Sequence, residues 1–299
     1  MAEGMIIETA DVRKMYGNVE ALAGLSLRVP RGAICGLLGR NGAGKTTTIK
    51  VLLGMVRPTA GDVRVFGLAA DDSRASVEIR GRTAFVSEDK DLYAGMTVGD
   101  LIRFTSAFYP RWRADLASAY LAQFQLRPDA AAKELSRGMR TKLALLLALS
   151  TGAELLILDE PMSGLDPAAT EEILRILVKQ AGHDGSTVLF SSHQLADVEQ
   201  IADHIAIVDR GRVVIDGTLD DVRASYRRIQ LVFGNAAPDH VFKSRGVINV
   251  RRDGRVLSVL SSGGEERVVA EARSLSPVSV DVHPVTLKEI FLEAASVEN

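Results

Sequence analysis

The sequence predicts an α/β fold built around a buried parallel sheet. Short apolar runs of strand length occupy residues 33–38, 155–158 and 187–190, and such runs are typical of strands covered on both faces. Each run ends in polar or glycine-rich residues, where α/β sheets hold their ligands. Between the runs, from Thr97 to about Ser150 and again before Lys179, apolar residues recur at helical spacing. Strands that alternate with helices in this way indicate an α/β architecture.

The composition indicates an ordinary globular protein. The 36 basic and 38 acidic residues among 299 give a net charge of −2, which provides no general basic surface for nucleic acid. The longest strongly apolar stretch, residues 143–149, is far shorter than the roughly 18 residues of a membrane-spanning helix. The N-terminus lacks a signal-peptide pattern, and the single cysteine, Cys35, lies in an apolar run with an expected core role. We therefore expect a cytosolic protein.

The segment after the first apolar run, residues 39–47, fits the pattern G-x-x-x-x-G-K-[ST] of a phosphate-binding loop. Its glycines let the backbone turn tightly, so that N–H groups reach phosphate oxygens. We expect Lys45 to reach the β- and γ-phosphates and the Thr46 hydroxyl to ligate Mg²⁺. A helix starting near Thr47 presents its positive end to the anion. The loop residues expected to contact the nucleotide are Gly39, Asn41, Gly42, Ala43, Gly44, Lys45, Thr46 and Thr47.

An aromatic residue, Tyr16, lies in a polar segment upstream of this loop. Its ring either stacks on a nucleobase or serves as a packing or turn residue, and the residues alone leave both interpretations open. Further strands are predicted at residues 6–10, 25–29, 63–66 and 83–86. The last of these leads into a polar segment that contains Glu88.

A helical insert is predicted from Thr97 to about Ser150. Pro110 separates two of its segments, and Ser136 is a natural N-cap for the helix that follows it. A purely structural interpretation stops there. The functional interpretation adds that the Ser136 hydroxyl and the Gly138 amide, at a helix N-terminus, form an anion site.

Two apolar runs deliver candidate catalytic residues. Residues 155–158 end in Asp159 and Glu160, the Walker B pattern, in which Asp159 holds Mg²⁺ and Glu160 orients or deprotonates the attacking water. Residues 187–190 lead to His193, which we interpret as a γ-phosphate contact rather than a surface or core histidine. The remaining histidines receive no role: His183, His204, His240 and His283.

A hairpin over residues 205–215 is expected to close this part of the chain, and a small α/β domain follows from about residue 223. Within that domain, Asp253 and Gly254 form a strong hairpin signal. The other predicted elements are a strand at residues 229–233, a helix at 265–275, a strand at 278–282 and a helix at 287–292. The domain either packs as a brace or in a dimer, or it senses a regulatory ligand.

The order of these segments resembles the nucleotide-binding subunit of an ATP-binding cassette (ABC) transporter, of an ABC-2-like class, over residues 5–222. The resemblance implies a P-loop NTPase (RecA-like) core with an antiparallel β subdomain and a helical insert at about 95–150. The small α/β domain then spans residues 223–299. By this resemblance Tyr16 stacks on adenine, residues 135–139 are the signature motif, and residues 163–166 are the D-loop. Glu160, His193 and Lys45 are then the catalytic residues of an ATPase.

Two segments depart from the usual pattern of this family, at Glu88 and at Arg137 and Met139 of the signature. Glu88 stands where a glutamine is common, in a loop whose residue touches Mg²⁺ or its water and couples to the membrane partner. The signature is LSRGM rather than LSGGQ, although Ser136 and Gly138, the expected phosphate contacts, are kept. The carboxylate of Glu88 is expected to alter the coupling or the rate.

The resemblance also implies partners and cofactors. Two such cassettes pack head to tail on ATP and Mg²⁺, with Lys45, Thr46 and Asp159 acting in cis, and with Ser136 and Gly138 acting in trans. A separate transmembrane permease completes the transporter on the inner face of the cell membrane, and no nucleic acid is involved. The second cassette is either an identical or a different chain. The alternatives are a soluble ABC ATPase that acts on ribosomes or DNA, a P-loop phosphotransferase, and a regulatory module without turnover.

Overall fold

The computed structural model describes residues 4–294, except for the side chains of His183, Asp184 and Ala294. The chain divides into two compact units, Met1–Asp216 and Gly217–Asn299. This division falls slightly before the boundary expected after residue 222. Each unit contains both helices and strands, so the predicted α/β class is confirmed.

The elements of the first unit alternate between strands and helices. Its strands are β1 (Met5–Tyr16), β2 (Val19–Leu25), β3 (Arg28–Pro30), β4 (Ile34–Leu38), β5 (Ala60–Val65), β6 (Leu68–Ala69), β7 (Thr83–Val86), β8 (Leu155–Leu158), β9 (Thr187–Ser192), β10 (His204–Asp209) and β11 (Arg212–Thr218). Its helices are α1 (Lys45–Leu52), α2 (Ser73–Arg82), α3 (Val98–Ser106), α4 (Ala114–Gln123), α5 (Arg137–Leu149), α6 (Pro167–Asp184) and α7 (Leu195–Ile201).

An antiparallel sheet forms from the N-terminal strands in the order β2-β1-β5-β6, with β3 also paired to β1. The strand predicted at residues 25–29 is wrong in its extent, because Thr9 interrupts it. The Thr9 hydroxyl accepts a hydrogen bond from the Leu27 N–H at 2.7 Å and donates to the Leu25 carbonyl at 3.3 Å. β1 is longer than predicted and ends at Tyr16, because it pairs with both β2 and β5.

The second sheet of this unit is largely parallel and has the order β11-β10-β4-β9-β8-β7. Its register aligns the ends of neighbouring strands. Leu38 pairs with Ser192, Leu158 pairs with Phe190, and Val86 pairs with Leu158. The residues of β4, β8 and β9 are all buried, as expected for strands covered on both faces. The segments that follow β4, β7, β8 and β9 therefore leave the sheet at the same edge.

The helical insert contains α3, α4 and α5, with a short 3₁₀ helix at Ala132–Glu134. Thr97 begins α3 with a capping box, in which Thr97 and Asp100 satisfy each other's backbone N–H groups. Ser136 caps α5 as predicted, since its hydroxyl accepts a hydrogen bond from the Met139 N–H at 3.2 Å. No helix described in residues 4–294 is long and apolar enough to cross a bilayer.

The second unit contains a four-stranded sheet of the order β13-β14-β12-β15 and has its own hydrophobic core. Its elements are α8 (Leu219–Ser225), β12 (Tyr226–Val232), β13 (Val247–Asp253), β14 (Val256–Ser262), α9 (Glu265–Ser274), β15 (Ser279–Pro284) and α10 (Leu287–Ala294). The hairpin predicted at Asp253 and Gly254 is confirmed, since Asp253 pairs with Val256. Ile229, Val259 and Val268 are fully buried at the centre of this core.

Candidate nucleotide-binding site

The sheet edge described above brings the candidate site residues together in a fixed order. The phosphate-binding loop follows β4, His193 follows β9, Glu160 follows β8, and Glu88 follows β7. These strands are neighbours in the sequence β4-β9-β8-β7 across the sheet. Segments that lie more than a hundred residues apart in the chain therefore meet at one carboxyl edge, where α/β sheets hold ligands.

The phosphate-binding loop is shaped by glycines and leads directly into α1. Gly44 caps this helix with φ +110°, and a Cβ there would lie 2.8 Å from the Ala21 carbonyl oxygen, so only glycine fits. The cap has no side-chain hydrogen bond, which leaves the first N–H groups of α1 available to an anion. Lys45 Nζ lies next to the loop and donates to the Gly39 carbonyl at 2.8 Å.

Glu160 occupies the centre of the edge in an unusual backbone conformation. Its φ is +47°, in the left-handed region that a residue with a side chain rarely adopts. Its carboxylate lies between two partners, with Oε1 3.3 Å from Lys45 Nζ and Oε2 2.9 Å from His193 Nδ1. The Glu160 side chain is only 9% exposed. The phosphate-binding loop and the end of β9 thus both contact one nearly buried carboxylate.

Ser191 links Asp159 to Glu160. Its hydroxyl donates to Asp159 Oδ1 at 2.5 Å and accepts from the Glu160 N–H at 2.8 Å. All three residues are buried, and Asp159 is 1% exposed. Ser191 has no role among the sequence-based predictions, because its place beside Asp159 depends on the register of β8 with β9.

Lys90 is a second residue that the sequence analysis missed. Its ammonium group donates to the Glu160 carbonyl at 2.9 Å, and the residue is 6% exposed. Burial lowers the pKa of Lys90, and the positive charge of Arg137 lowers it further. Because Lys90 lies in a polar segment, nothing in the sequence distinguishes it from an exposed lysine.

A cavity of about 400 Å³ opens at this edge. Its lining residues are Ala21, Arg40, Asn41, Gly42, Gly44, Lys45, Thr46, Thr47, Glu88, Glu160, Ser163 and His193. Within the phosphate-binding loop and the end of β8, three predicted site residues lie outside this lining: Gly39, Ala43 and Asp159. The Gly39 carbonyl accepts a hydrogen bond from Lys45 Nζ. Ala43 is buried, and its carbonyl accepts a hydrogen bond from the Gly211 N–H. The Asp159 carboxylate accepts a hydrogen bond from the Ser191 hydroxyl.

Known proteins resemble this chain over the region that contains the site. Residues 22–163 match the ABC transporter family. The chain is 34% identical to the daunorubicin resistance ATP-binding protein DrrA3 of Streptomyces coeruleorubidus, over 93% of this chain and 92% of that protein. The chain belongs to the ABC transporter ATP-binding proteins. The resemblance inferred from the motifs is thereby confirmed, and this ABC protein is an ATPase.

Two further comparisons support the assignment to ABC ATPases. The chain is 34% identical to the bacitracin transport ATP-binding protein BcrA of Bacillus licheniformis, over 75% of this chain and 73% of that protein. A solved structure of an ATP-binding subunit of an ABC transporter superposes with a TM-score of 0.67 at 32% identity. That match covers 73% of this chain and 92% of the solved chain.

The donor atoms at the cavity suit Mg²⁺. Magnesium in nucleotide sites takes one or two protein oxygens and completes its shell with phosphate and water oxygens. The cavity provides the Thr46 hydroxyl and the carboxylates of Glu88 and Glu160. Asp159 follows β8 at the same sheet edge. In the described part of the chain no three His, Cys, Asp or Glu residues form a metal cluster. This donor set matches an ion that is bound together with a nucleotide.

Three other predicted residues do not line the cavity. Tyr16 is 46% exposed at the end of β1, with Lys14 Nζ 5.0 Å from its ring centroid. Ser136 and Gly138, at the start of α5, are also absent from the residues that line this cavity in the described chain. Adenine stacking by Tyr16 and phosphate binding by Ser136 and Gly138 stay predictions.

Arg137 forms a contact that the sequence did not predict. Its Nη2 donates to the Ser163 hydroxyl at 3.1 Å. This hydrogen bond connects residues 135–139 with residues 163–166 of the same chain. A Cβ at Gly164 would lie 2.5 Å from Arg137 Nε, and Gly164 has φ +79°. The left-handed φ therefore favours glycine at that position, and the absence of a Cβ leaves room for the guanidinium.

Proposed function

We propose that this ABC ATPase powers export through a separate transmembrane permease, by closing as a dimer on ATP. The observation that carries the proposal is the Glu160 carboxylate, which lies 3.3 Å from Lys45 and 2.9 Å from His193 beside the phosphate-binding loop. A carboxylate at this place has the geometry of a general base for a water that attacks the γ-phosphate.

The hydrolytic step follows from these positions. The N–H groups of the phosphate-binding loop and the Lys45 ammonium bind the phosphates and balance their charge. Glu160 orients the attacking water and accepts its proton. The water oxygen bonds to the γ-phosphorus as the bond from that phosphorus to the ADP oxygen breaks, which gives ADP and phosphate. His193 holds the Glu160 carboxylate and contacts the γ-phosphate from the neighbouring strand. Lys45, Glu160 and His193 are therefore the proposed catalytic residues.

Thr46, Asp159 and Glu88 are the proposed holders of Mg²⁺. A Mg²⁺ held by these residues would supply positive charge that neutralises the phosphates in the transition state. Ser191 keeps the Asp159 carboxylate in place through the hydrogen bond at 2.5 Å. Glu88, on the segment after β7, brings a charge that a glutamine would lack.

A second cassette supplies the other half of each ATP site in this proposal. Ser136 caps α5 at a surface separate from the lining of the cavity around Lys45. The N-terminus of α5 is suited to the γ-phosphate of an ATP that is held by the opposite chain. ATP therefore joins two chains, and hydrolysis separates them.

An exposed aromatic cluster is the proposed docking surface for the permease. Tyr93, Phe104 and Phe108 pack edge to face, with ring centroids 5.4 Å and 5.1 Å apart, and they are 62%, 38% and 64% exposed. Clustered exposed rings of this kind mark interaction surfaces. Tyr93 follows Glu88 by five residues in the chain, so a partner bound at the cluster could move the Glu88 segment. Docking on a permease puts the chain on the inner face of the cell membrane.

The relatives indicate the class of cargo. One is named for bacitracin transport and another for daunorubicin resistance. We therefore propose export of a compound of the drug or antibiotic type. The permease provides the pathway, and this chain provides the ATPase.

Copurification tests the proposal. The tagged full chain is isolated from detergent-solubilised native membranes, and its partners are identified by mass spectrometry. A stoichiometric multispanning membrane protein is expected, and replacing Tyr93, Phe104 and Phe108 by serine should release it while ATP binding persists. Recovery with ribosomes or DNA instead, in the soluble fraction, would overturn the transporter proposal in favour of a soluble ABC ATPase.

A further inference from the structure

The Glu160 backbone carbonyl receives hydrogen bonds from two separate parts of the chain. Lys90 Nζ donates to it at 2.9 Å and the Ser163 N–H donates to it at 3.1 Å. The N–H of the same residue donates to the Ser191 hydroxyl at 2.8 Å. The backbone N–H and the backbone carbonyl of Glu160 are thus both hydrogen-bonded to residues outside β8.

These bonds hold a conformation that costs energy. Glu160 has φ +47°, and residues with a side chain adopt such a conformation stably only where the surroundings impose it. The conformation determines where the side chain leaves the backbone, and so where the carboxylate meets Lys45 and His193. Groups that fix the Glu160 backbone therefore also fix the direction of its carboxylate.

Lys90 is directed inward from a segment that is otherwise exposed. Glu88, Asp89 and Asp91 are exposed, whereas Lys90 is 6% exposed. A lysine is seldom buried, because removing its charge from water is unfavourable unless acceptors surround it. The charges that act on it are the carboxylates of Glu88, Asp159 and Glu160, and the guanidinium of Arg137. The Glu160 carbonyl is the acceptor that its ammonium group contacts directly.

We propose that Lys90 is a positioning residue for Glu160, and that the Glu88 segment acts through Lys90 to set the direction of the catalytic carboxylate. This inference rests on the proposed role of Glu160 in hydrolysis. Lys90 lies two residues after Glu88, so a displacement of that segment pulls on the Glu160 carbonyl. The carboxylate then changes its position relative to Lys45 and His193, and the rate of hydrolysis changes while the phosphate-binding loop is undisturbed.

The first test is Lys90→Met in the full chain, with exposed Lys179→Met as the matched control. Methionine keeps the length of the side chain and removes the donor, and a cavity of about 180 Å³ that Lys90 lines gives it room. Because a hydrogen bond from a charged donor is stronger than a neutral one, we expect kcat to fall about tenfold. The KM for ATP should stay within about twofold, since Lys90 does not line the nucleotide cavity. An unchanged kcat would overturn the proposal.

The second test is a double-mutant cycle with Glu160→Gln, measured as single-turnover hydrolysis. If Lys90 acts through the Glu160 carboxylate, Lys90→Met should have little further effect in the Glu160→Gln background. The same tenfold loss in both backgrounds would show that Lys90 acts elsewhere. Hydrolysis by Glu160→Gln at the wild-type rate would overturn the role of Glu160 in the proposed function. An inactive Glu160→Gln together with a normal Lys90→Met would overturn only the role of Lys90.

Thermal melting and binding of a fluorescent ATP analogue show whether Lys90→Met is folded. If it is not, Lys90→Arg and Lys90→Gln take its place. Arginine keeps a charged donor at the end of a long side chain, whereas the glutamine amide is shorter and neutral. We expect the arginine variant to keep a kcat several-fold above that of the glutamine variant. Equal kcat values in two folded variants would overturn the proposal.

Discussion

Lys45 Nζ lies 3.3 Å from Glu160 Oε1, and this ion pair joins the phosphate-binding loop to the end of β8. Both side chains are nearly buried, at 7% and 9% exposure. Ion pairs between such groups persist at salt concentrations that screen surface pairs. In the proposed mechanism Lys45 therefore has two functions, because it binds phosphate and also holds the catalytic base in place.

Replacing Lys45 by methionine should weaken ATP binding. The variant loses the charge that faces the phosphates and leaves the Glu160 carboxylate without its cation. A hydrogen bond to a charged group contributes about 1.5–3 kcal/mol, so we expect the Kd for ATP to rise roughly 10- to 150-fold. Titration with a fluorescent ATP analogue measures this.

Lys50 provides the control for that prediction. It is exposed on the same helix, α1, and does not line the cavity. Lys50→Met should bind ATP with the wild-type Kd. Equal losses for the two variants would mean that helix stability, rather than contact with phosphate, determines the affinity.

Glu160→Gln should separate ATP binding from ATP hydrolysis. The amide fills the same space but accepts no proton, and general-base catalysis contributes about 10²- to 10⁴-fold. We expect kcat to fall by roughly that range, while ATP binds at least as tightly and the ATP-bound dimer accumulates. Phosphate release and size-exclusion chromatography with ATP measure the two effects. A kcat close to the wild-type value would show that another group activates the water.

Ser191→Ala should impair both stability and hydrolysis. The substitution leaves the buried Glu160 N–H without its acceptor and the Asp159 carboxylate without its donor. A buried polar group left without a partner costs about 1–3 kcal/mol, and we expect a loss of that size in the free energy of unfolding by urea. Activity should become more dependent on the Mg²⁺ concentration, because Asp159 is less well fixed.

The neighbouring residue, Ser192, is the matched control. Its hydroxyl donates to the Gln194 carbonyl at 3.2 Å and accepts from the Gln194 N–H at 2.9 Å, away from Asp159. Ser192→Ala should therefore cost less stability and leave the Mg²⁺ dependence unchanged. If both serines behave alike, the loss reflects the end of β9 in general.

The sequence predicted the sheet edge well, because each of its parts leaves a local signal. The apolar run before Asp159 identifies a buried strand that ends in carboxylates. The glycines of residues 39–47 identify a loop that must come close to a ligand. Parallel strands then require these ends to meet, so the sequence alone groups Lys45, Glu160 and His193.

Ser191 and Lys90 could not be found in this way, because their roles depend on contacts across the fold. Ser191 matters because the register of β8 with β9 places it beside Asp159. Lys90 matters because its buried ammonium group donates to the Glu160 carbonyl. No periodicity in the sequence around Lys90 indicates that its side chain is buried. The strand predicted over residues 25–29 was wrong for a similar reason, since the buried Thr9 hydroxyl interrupts the ladder there.

In the second unit, Glu271 should stabilise a loop in a pH-dependent way. Its carboxylate accepts hydrogen bonds from the Lys243 N–H at 2.8 Å, from the Ser244 N–H at 2.9 Å and from the Ser244 hydroxyl at 2.6 Å, and it contacts His240. These bonds favour the ionised form and lower the pKa of Glu271 to about 2. Since the folded pKa lies below the ordinary value of 4.5, the stabilisation is complete above about pH 4.5. It is lost as the pH falls from there towards 2.

Hydrogen exchange of the peptide that contains Lys243 and Ser244 measures this effect in the full chain. At pH 7 we expect Glu271→Gln to exchange about tenfold faster than the wild type, because several charge-assisted hydrogen bonds are weakened. The ratio of the two rates should shrink at pH 3.5, where the carboxylate has lost part of its advantage in the wild type. Glu266→Gln, on the exposed side of the same helix, should leave the rates unchanged at both pH values. A ratio independent of pH would show that the shape of the Glu271 side chain, rather than its charge, orders the loop.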